Sequence, residues 1–91
     1  MAEETWISPE QARDALTHGT GKGVRIAILD SGVEITHPRL APLKLRDDVV
    51  IESRGGQISA VDGTGVDTFG HGTAVADIIH RDAPEAVIGS F

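Results

Sequence analysis

A chain of 91 residues fits one small domain with a modest core, and its 40% hydrophobic content is that of a globular chain, not a disordered one. The absence of cysteine excludes disulfides, thiolate metal ligands and a thiol nucleophile, and fits a reducing compartment. A formal net charge of −6, with eight Lys plus Arg and few aromatics, argues against nucleic-acid binding and suits a solvated surface, the acidic residues being scattered apart from Glu3-Glu4 and Asp47-Asp48.

Met1 to Trp6 contains neither a basic n-region nor an apolar h-region. A signal peptide is therefore not expected, and the cytoplasm is the expected location. No apolar run approaches the length of a membrane span, so no membrane role is expected. Trp6 reads as a packing residue near the chain start. Ser8-Pro9-Glu10-Gln11 opens a helix, with Ser8 as cap, Pro9 at the first helical position and Gln11 completing a capping box. The helix is predicted to run to about Leu16 with Ala12, Ala15 and Leu16 on one face, and His18-Gly19-Thr20-Gly21 stops it.

Residues 24–29, nearly all apolar and ending at Asp30, read as a strand buried on both faces of a parallel sheet. A loop follows through His37-Pro38, and residues 39–45 suit a short turn of helix at most. Residues 49–53 are a second strand. Arg54-Gly55-Gly56 turns the chain and residues 57–61 return antiparallel. From His71 to about His80 the pattern is helical, with Val75, Ile78 and Ile79 on one face. Asp82-Ala83-Pro84 ends that helix and residues 86–91 form the last strand. This order predicts an α/β layer built on a parallel sheet too small to cover both its faces.

Two residues carry the chemistry. Asp30 ends a buried parallel strand, where α/β folds place ligands, although a strand-ending Asp that caps a turn is common. His71 stands between Gly70 and Gly72, with Thr73 next, at a helix start. Flanking glycines let other backbone approach the ring. The helix N-terminus disfavours a charged imidazole while a nearby carboxylate favours it, opposed influences that suit a group which takes up a proton and returns it. Other patterns are weaker. Gly19 to Gly23 lacks P-loop spacing and precedes a strand, His18, His37, His71 and His80 form no pair at zinc-ligand spacing, and Asp30-Ser31-Gly32 lacks the second Asp of a phosphatase loop.

Taken together, the segments from Lys22 to Val33 and from Phe69 to Ala76, with His37-Pro38 between them and Ala83-Pro84-Glu85-Ala86 after them, resemble the catalytic Asp and His motifs of subtilisin-like serine proteases. Ser8 to Gly23 is similar to the family's opening helix and Gly-rich approach. The resemblance implies the N-terminal part of a three-layer subtilisin-like α/β domain over residues 1–91. Asp30 would orient the ring of His71, the general base, and Ser31, Gly70, Gly72 and Thr73 would support them. It also implies a peptide or protein substrate and no cofactor. None of Ser8, Ser31, Ser53, Ser59 and Ser90 stands in the Gly-Thr-Ser setting the family uses for its nucleophile, and Ser31 is expected to hydrogen-bond Asp30 instead. The nucleophile and oxyanion hole are therefore expected outside these residues.

Ala74 replaces a frequent second histidine, Asp77 a frequent glycine, and Arg39 an acidic calcium ligand of the family, while the segment 80–84 is too short for its calcium loop. No metal is expected at that site. Two functions stay open: part of a serine endopeptidase, inactive as the isolated chain, or a truncated, non-catalytic module acting in binding or regulation; a remnant without function is the third alternative. With one central strand left as an edge, the isolated chain is expected to form a twofold homodimer.

Overall fold

The computed structural model describes residues 6–91. The elements run α1 (Pro9–His18), β1 (Arg25–Ile28), a 3-10 turn (Pro38–Leu40), β2 (Asp47–Arg54), β3 (Gln57–Asp62), α2 (His71–Asp82) and β4 (Val87–Ser90). The result is a mixed α/β architecture with two helices and a four-stranded sheet in the order β1-β4-β2-β3. β4 lies parallel to β1 along its length and parallel to β2 only at Asp47↔Gly89 and Asp48↔Ser90. β2 then diverges and pairs antiparallel with β3 from Val49↔Asp62 to Arg54↔Gln57, the hairpin expected around Gly55-Gly56.

α1 begins as its sequence dictates. The Ser8 hydroxyl accepts the Gln11 N–H at 3.1 Å, and the Gln11 side chain accepts the Ser8 N–H at 2.8 Å. The helix runs two residues beyond Leu16, to His18, where the ring meets Asp14 at 2.9 Å and the Gly19 N–H reaches the Ala15 carbonyl. Its apolar face finds no covering partner among the described residues. No residue of α1 is buried, and Leu16 is among the exposed large side chains. Trp6 is 97% exposed, so it packs against nothing among the described residues, contrary to its reading as a packing residue.

The core is small: Ile28, Val33, Leu40, Ala76 and Ile88, flanked by Ile26, Leu43, Leu45, Val75 and Ile79. α2 supplies Gly72, Thr73 and Ala76 as its buried residues. Ile78, expected on that face, is 53% exposed; the smaller Ala76 sits against the sheet because α2 lies close to β1 and the 3-10 turn. β1 departs from expectation in the same way. Ile26 and Ile28 turn toward α2, but Ala27 and Leu29 on the opposite face are exposed, since no helix among the described residues covers that side. β3 is exposed throughout. The radius of gyration is 16.4 Å, against about 12 Å for a compact domain of this length.

Candidate functional site: a carboxylate–imidazole pair at the end of the parallel strands

β1 delivers Asp30 to the loop at its C-terminal end, and α2 starts beside it with His71 as its first residue. The two side chains meet: His71 Nδ1 lies 2.6 Å from Asp30 Oδ2. The other oxygen of Asp30 accepts the Ser31 N–H, also at 2.6 Å. These two bonds, from the Ser31 backbone and then from His71, outweigh desolvation and hold the Asp30 carboxyl below the usual carboxylate range. An ionised carboxylate only accepts, so the imidazole donates through Nδ1–H and its Nε2 stays available. The His71 side chain is 63% exposed and that of Asp30 22%, so other groups can reach the ring while the carboxylate behind it is largely covered.

The glycines on either side of His71 do different work. Gly70 caps α2 with φ +94°, in the left-handed region that favours glycine. A Cβ at Gly72 would run into the Gly32 carbonyl oxygen, so only glycine lets the α2 start lie against the loop after Asp30. Ser31 serves this junction through its hydroxyl, which accepts the Gly72 N–H at 3.1 Å. Ser31 also bonds Asp30 as expected, its backbone N–H donating at 2.6 Å and its hydroxyl adding a smaller lowering of that carboxyl. Thr73, 8% exposed, accepts the Glu34 N–H on its hydroxyl at 2.9 Å. The structure thus brings Asp30, Ser31, Gly70, His71, Gly72 and Thr73 together.

One contributor lay outside the motifs read from the sequence. Asp67 accepts bonds from Phe69, Gly70 and Thr73. Burial alone would raise its pKa; the Thr73 hydroxyl and the Gly70 and Thr73 N–H groups overcome that and hold the carboxyl far below its ordinary value. The available signal was an Asp three residues before the cap position of a helix whose cap residue has no side chain.

A cleft of about 420 Å³ opens beside the pair, with Asp30, Ser31, Val50, Ile51, Val66 and Phe91 among its lining residues. No serine hydroxyl bonds His71 among the described residues: Ser8 caps α1, Ser53 and Ser59 lie in the hairpin, and Ser90 is buried in β4. The two departures at positions 39 and 77 meet each other. Arg39 Nε lies 3.1 Å from Asp77 Oδ2, which Arg81 also reaches at 3.3 Å. A guanidinium at the first position and a carboxylate already held by two cations do not suit a calcium ion, which needs several converging oxygens. Among the described residues, no group of three or more His, Cys, Asp or Glu side chains lies together.

Searches of curated proteins and of solved structures return no match to this chain. The family model of the subtilase family, peptidase S8, matches residues 21–89, from the approach to β1 through most of β4, and so spans both Asp30 and His71. The chain belongs to the subtilase family.

Proposed function

We propose that this chain is the Asp–His part of a serine endopeptidase. The 2.6 Å contact between His71 Nδ1 and Asp30 Oδ2, at the end of the parallel strands, is the observation that carries the reading. In it, residues 1–91 are the N-terminal fragment of a three-layer subtilisin-like catalytic domain, and the nucleophilic serine and oxyanion hole come from outside them. Asp30 fixes the Nδ1–H tautomer and steadies the imidazolium. His71 Nε2 takes the serine proton as that oxygen attacks the peptide carbonyl and hands it to the leaving amine. Ser31, Gly72 and Thr73 hold the α2 start against the Asp30 loop, and Gly70 admits the turn. The substrate is a peptide or protein, and no cofactor takes part. Cytoplasmic location belongs to the same reading. No helix among the described residues is long and apolar enough to cross a membrane.

The isolated chain is expected to hydrolyse no peptide. A fluorogenic peptide assay tests this, and turnover that disappears in Ser31→Ala would refute it. A Gly-Thr-Ser at a helix start downstream in the parent reading frame is the complementary expectation.

A second reading, a non-catalytic module acting in binding or regulation, draws on the exposed surface. The chain exposes 7056 Å², against about 5,100 Å² for a compact monomer of its mass. That excess, with β1 at the sheet edge and unpaired there among the described residues, also underlies the expected twofold dimer of the isolated chain. Sedimentation at micromolar concentration checks it, and a clean monomer would refute it.

A further inference from the structure

Helix α2 begins with a deficit. Its N-cap is Gly70, which has no side chain to bond the N–H groups of the first turn, and that turn carries His71. Two side chains from elsewhere make up the deficit. The Ser31 hydroxyl accepts the Gly72 N–H. Asp67 accepts the rest that are bonded. One oxygen takes the Phe69 N–H at 3.1 Å and the Gly70 N–H at 2.9 Å, and the other takes the Thr73 N–H at 2.9 Å and the Thr73 hydroxyl at 2.6 Å. The partners of this one carboxylate stand on both sides of His71 in the chain.

The bond from Thr73 extends the network to the other half of the site. Its hydroxyl has one proton, given to Asp67, so its lone pairs face outward and accept the Glu34 N–H at 2.9 Å. Glu34 follows Asp30 by four residues. A continuous path therefore runs from the Phe69 and Gly70 amides through Asp67 and Thr73 to the loop leaving β1. Its anchor is an anion at a helix N-terminus, the favourable end for negative charge.

The geometry points to Asp67 as a positioning residue for the Asp30–His71 pair, acting through Thr73 and the peptide groups around His71 without touching either ring or carboxylate of the pair. The role rests on reading that pair as the acid–base part of a serine endopeptidase. Its physical basis is the shortness of the 2.6 Å Nδ1–Oδ2 contact, which a small swing of the α2 start would open. A residue that only stabilised the fold would leave the imidazole tautomer and its bond unchanged in every variant that still folds.

The test is nuclear magnetic resonance of the 91-residue chain with nitrogen-labelled histidine, the His71 ring being assigned by its loss in His71→Gln. In the wild-type chain the ring is expected as a single Nδ1–H tautomer with a strongly deshielded Nδ1 proton. Asp67→Ala is expected to lose that proton signal and to show a mixture of the two tautomers while keeping dispersed amide resonances. Thr73→Val, which removes only the hydroxyl link, is expected to weaken the signal. Thr73→Ser, which restores the hydroxyl, is expected to bring it back. A folded Asp67→Ala with the wild-type ring signature would overturn the role. If Asp67→Ala does not fold, a wild-type signature in Thr73→Val, or its loss in Thr73→Ser, would do so. A wild-type chain without the Nδ1–H signal would overturn the pair itself and the positioning role with it. Absence of a downstream Gly-Thr-Ser would defeat the endopeptidase reading while leaving these ring signals as expected.

Discussion

The two faces of the sheet are finished to different degrees. Toward α2, Ile26, Ile28 and Ile88 meet Ala76, Val75 and Ile79, and the 3-10 turn adds Leu40, fully buried. On the other face Ala27 and Leu29 are exposed, Val87 is 39% exposed, and the Phe91 ring folds back across Gly89. The Asp30–His71 pair is assembled by elements of the finished face: the end of β1, the start of α2 and the loop after Asp30 that packs under it. The geometry of the pair therefore does not depend on whatever covers the other side. Cover for that side, and for the hairpin, is what the excess exposed surface calls for.

Truncation on each face is the sharpest way to break this comparison. Leu40→Ala and Ile88→Ala each remove a side chain with no exposed surface, and each is expected to cost about 2–5 kcal/mol. That approaches the whole stability of a small domain, so these variants should be largely unfolded in urea titrations from the first points. Leu29→Ser, on the face left uncovered within one copy, is expected to shift the stability of the monomer, measured at concentrations too low for the dimer, by less than about 0.5 kcal/mol. Comparable losses on both faces would mean that Leu29 is covered in solution.

Local sequence pattern located the two helices and the four strands, because strand and helix periods depend on local geometry, but it offered only a short turn of helix over residues 39–45 where a 3-10 turn stands at Pro38–Leu40. It placed the capping box at Ser8 and the hairpin turn at Gly55-Gly56 for the same reason. It failed wherever burial depends on a neighbour. A nearly all-apolar run such as residues 24–29 reads as buried on both faces, yet among the described residues nothing buries Leu29, and Leu16 and Trp6 share that fate. Ile78 shares a helical face with Val75 and Ile79 by its spacing, whereas the close approach of α2 to β1 selects the smaller Ala76 for the core. In the site, Asp30 and His71 were legible through the motifs around them. Asp67 was not, since its importance lies in four bonds that exist only after the chain between it and Thr73 has curled around it.

Acid should weaken the junction that holds the pair together. Both Asp67 and Asp30 have carboxyls lowered from the ordinary 3.8. A lowered folded value means that the native chain holds its protons less tightly than the unfolded chain. The stability these groups contribute is fully present above the ordinary value and drains away as pH falls through and below it. Thermal midpoints measured from pH 7 downward should be flat on this account until about pH 5 and then fall. In Asp67→Asn the neutral plateau should be lower and the acid decline shallower, since one of the two groups no longer titrates. An unchanged acid decline in Asp67→Asn would show that other carboxylates dominate it.

The smallest effect is expected where the sequence was easiest to read. Ser8 caps α1 with the full pair of capping-box bonds, and loss of such a cap ordinarily costs about 1 kcal/mol. Here the cost should remain local. No residue of α1 is buried, and the family match begins at residue 21, beyond the helix. A helix that buries none of its residues among those described has little through which its fraying can weaken the core. In Ser8→Ala, amide hydrogen exchange within residues 12–18 should therefore quicken about fivefold, the equivalent of that local cost. The urea midpoint read from the amides of β1 and β4 should stay where it is in the wild-type chain. A midpoint that moves with the α1 amides would show that the helix is docked in solution, with Leu16 as the side chain best placed to make the contact.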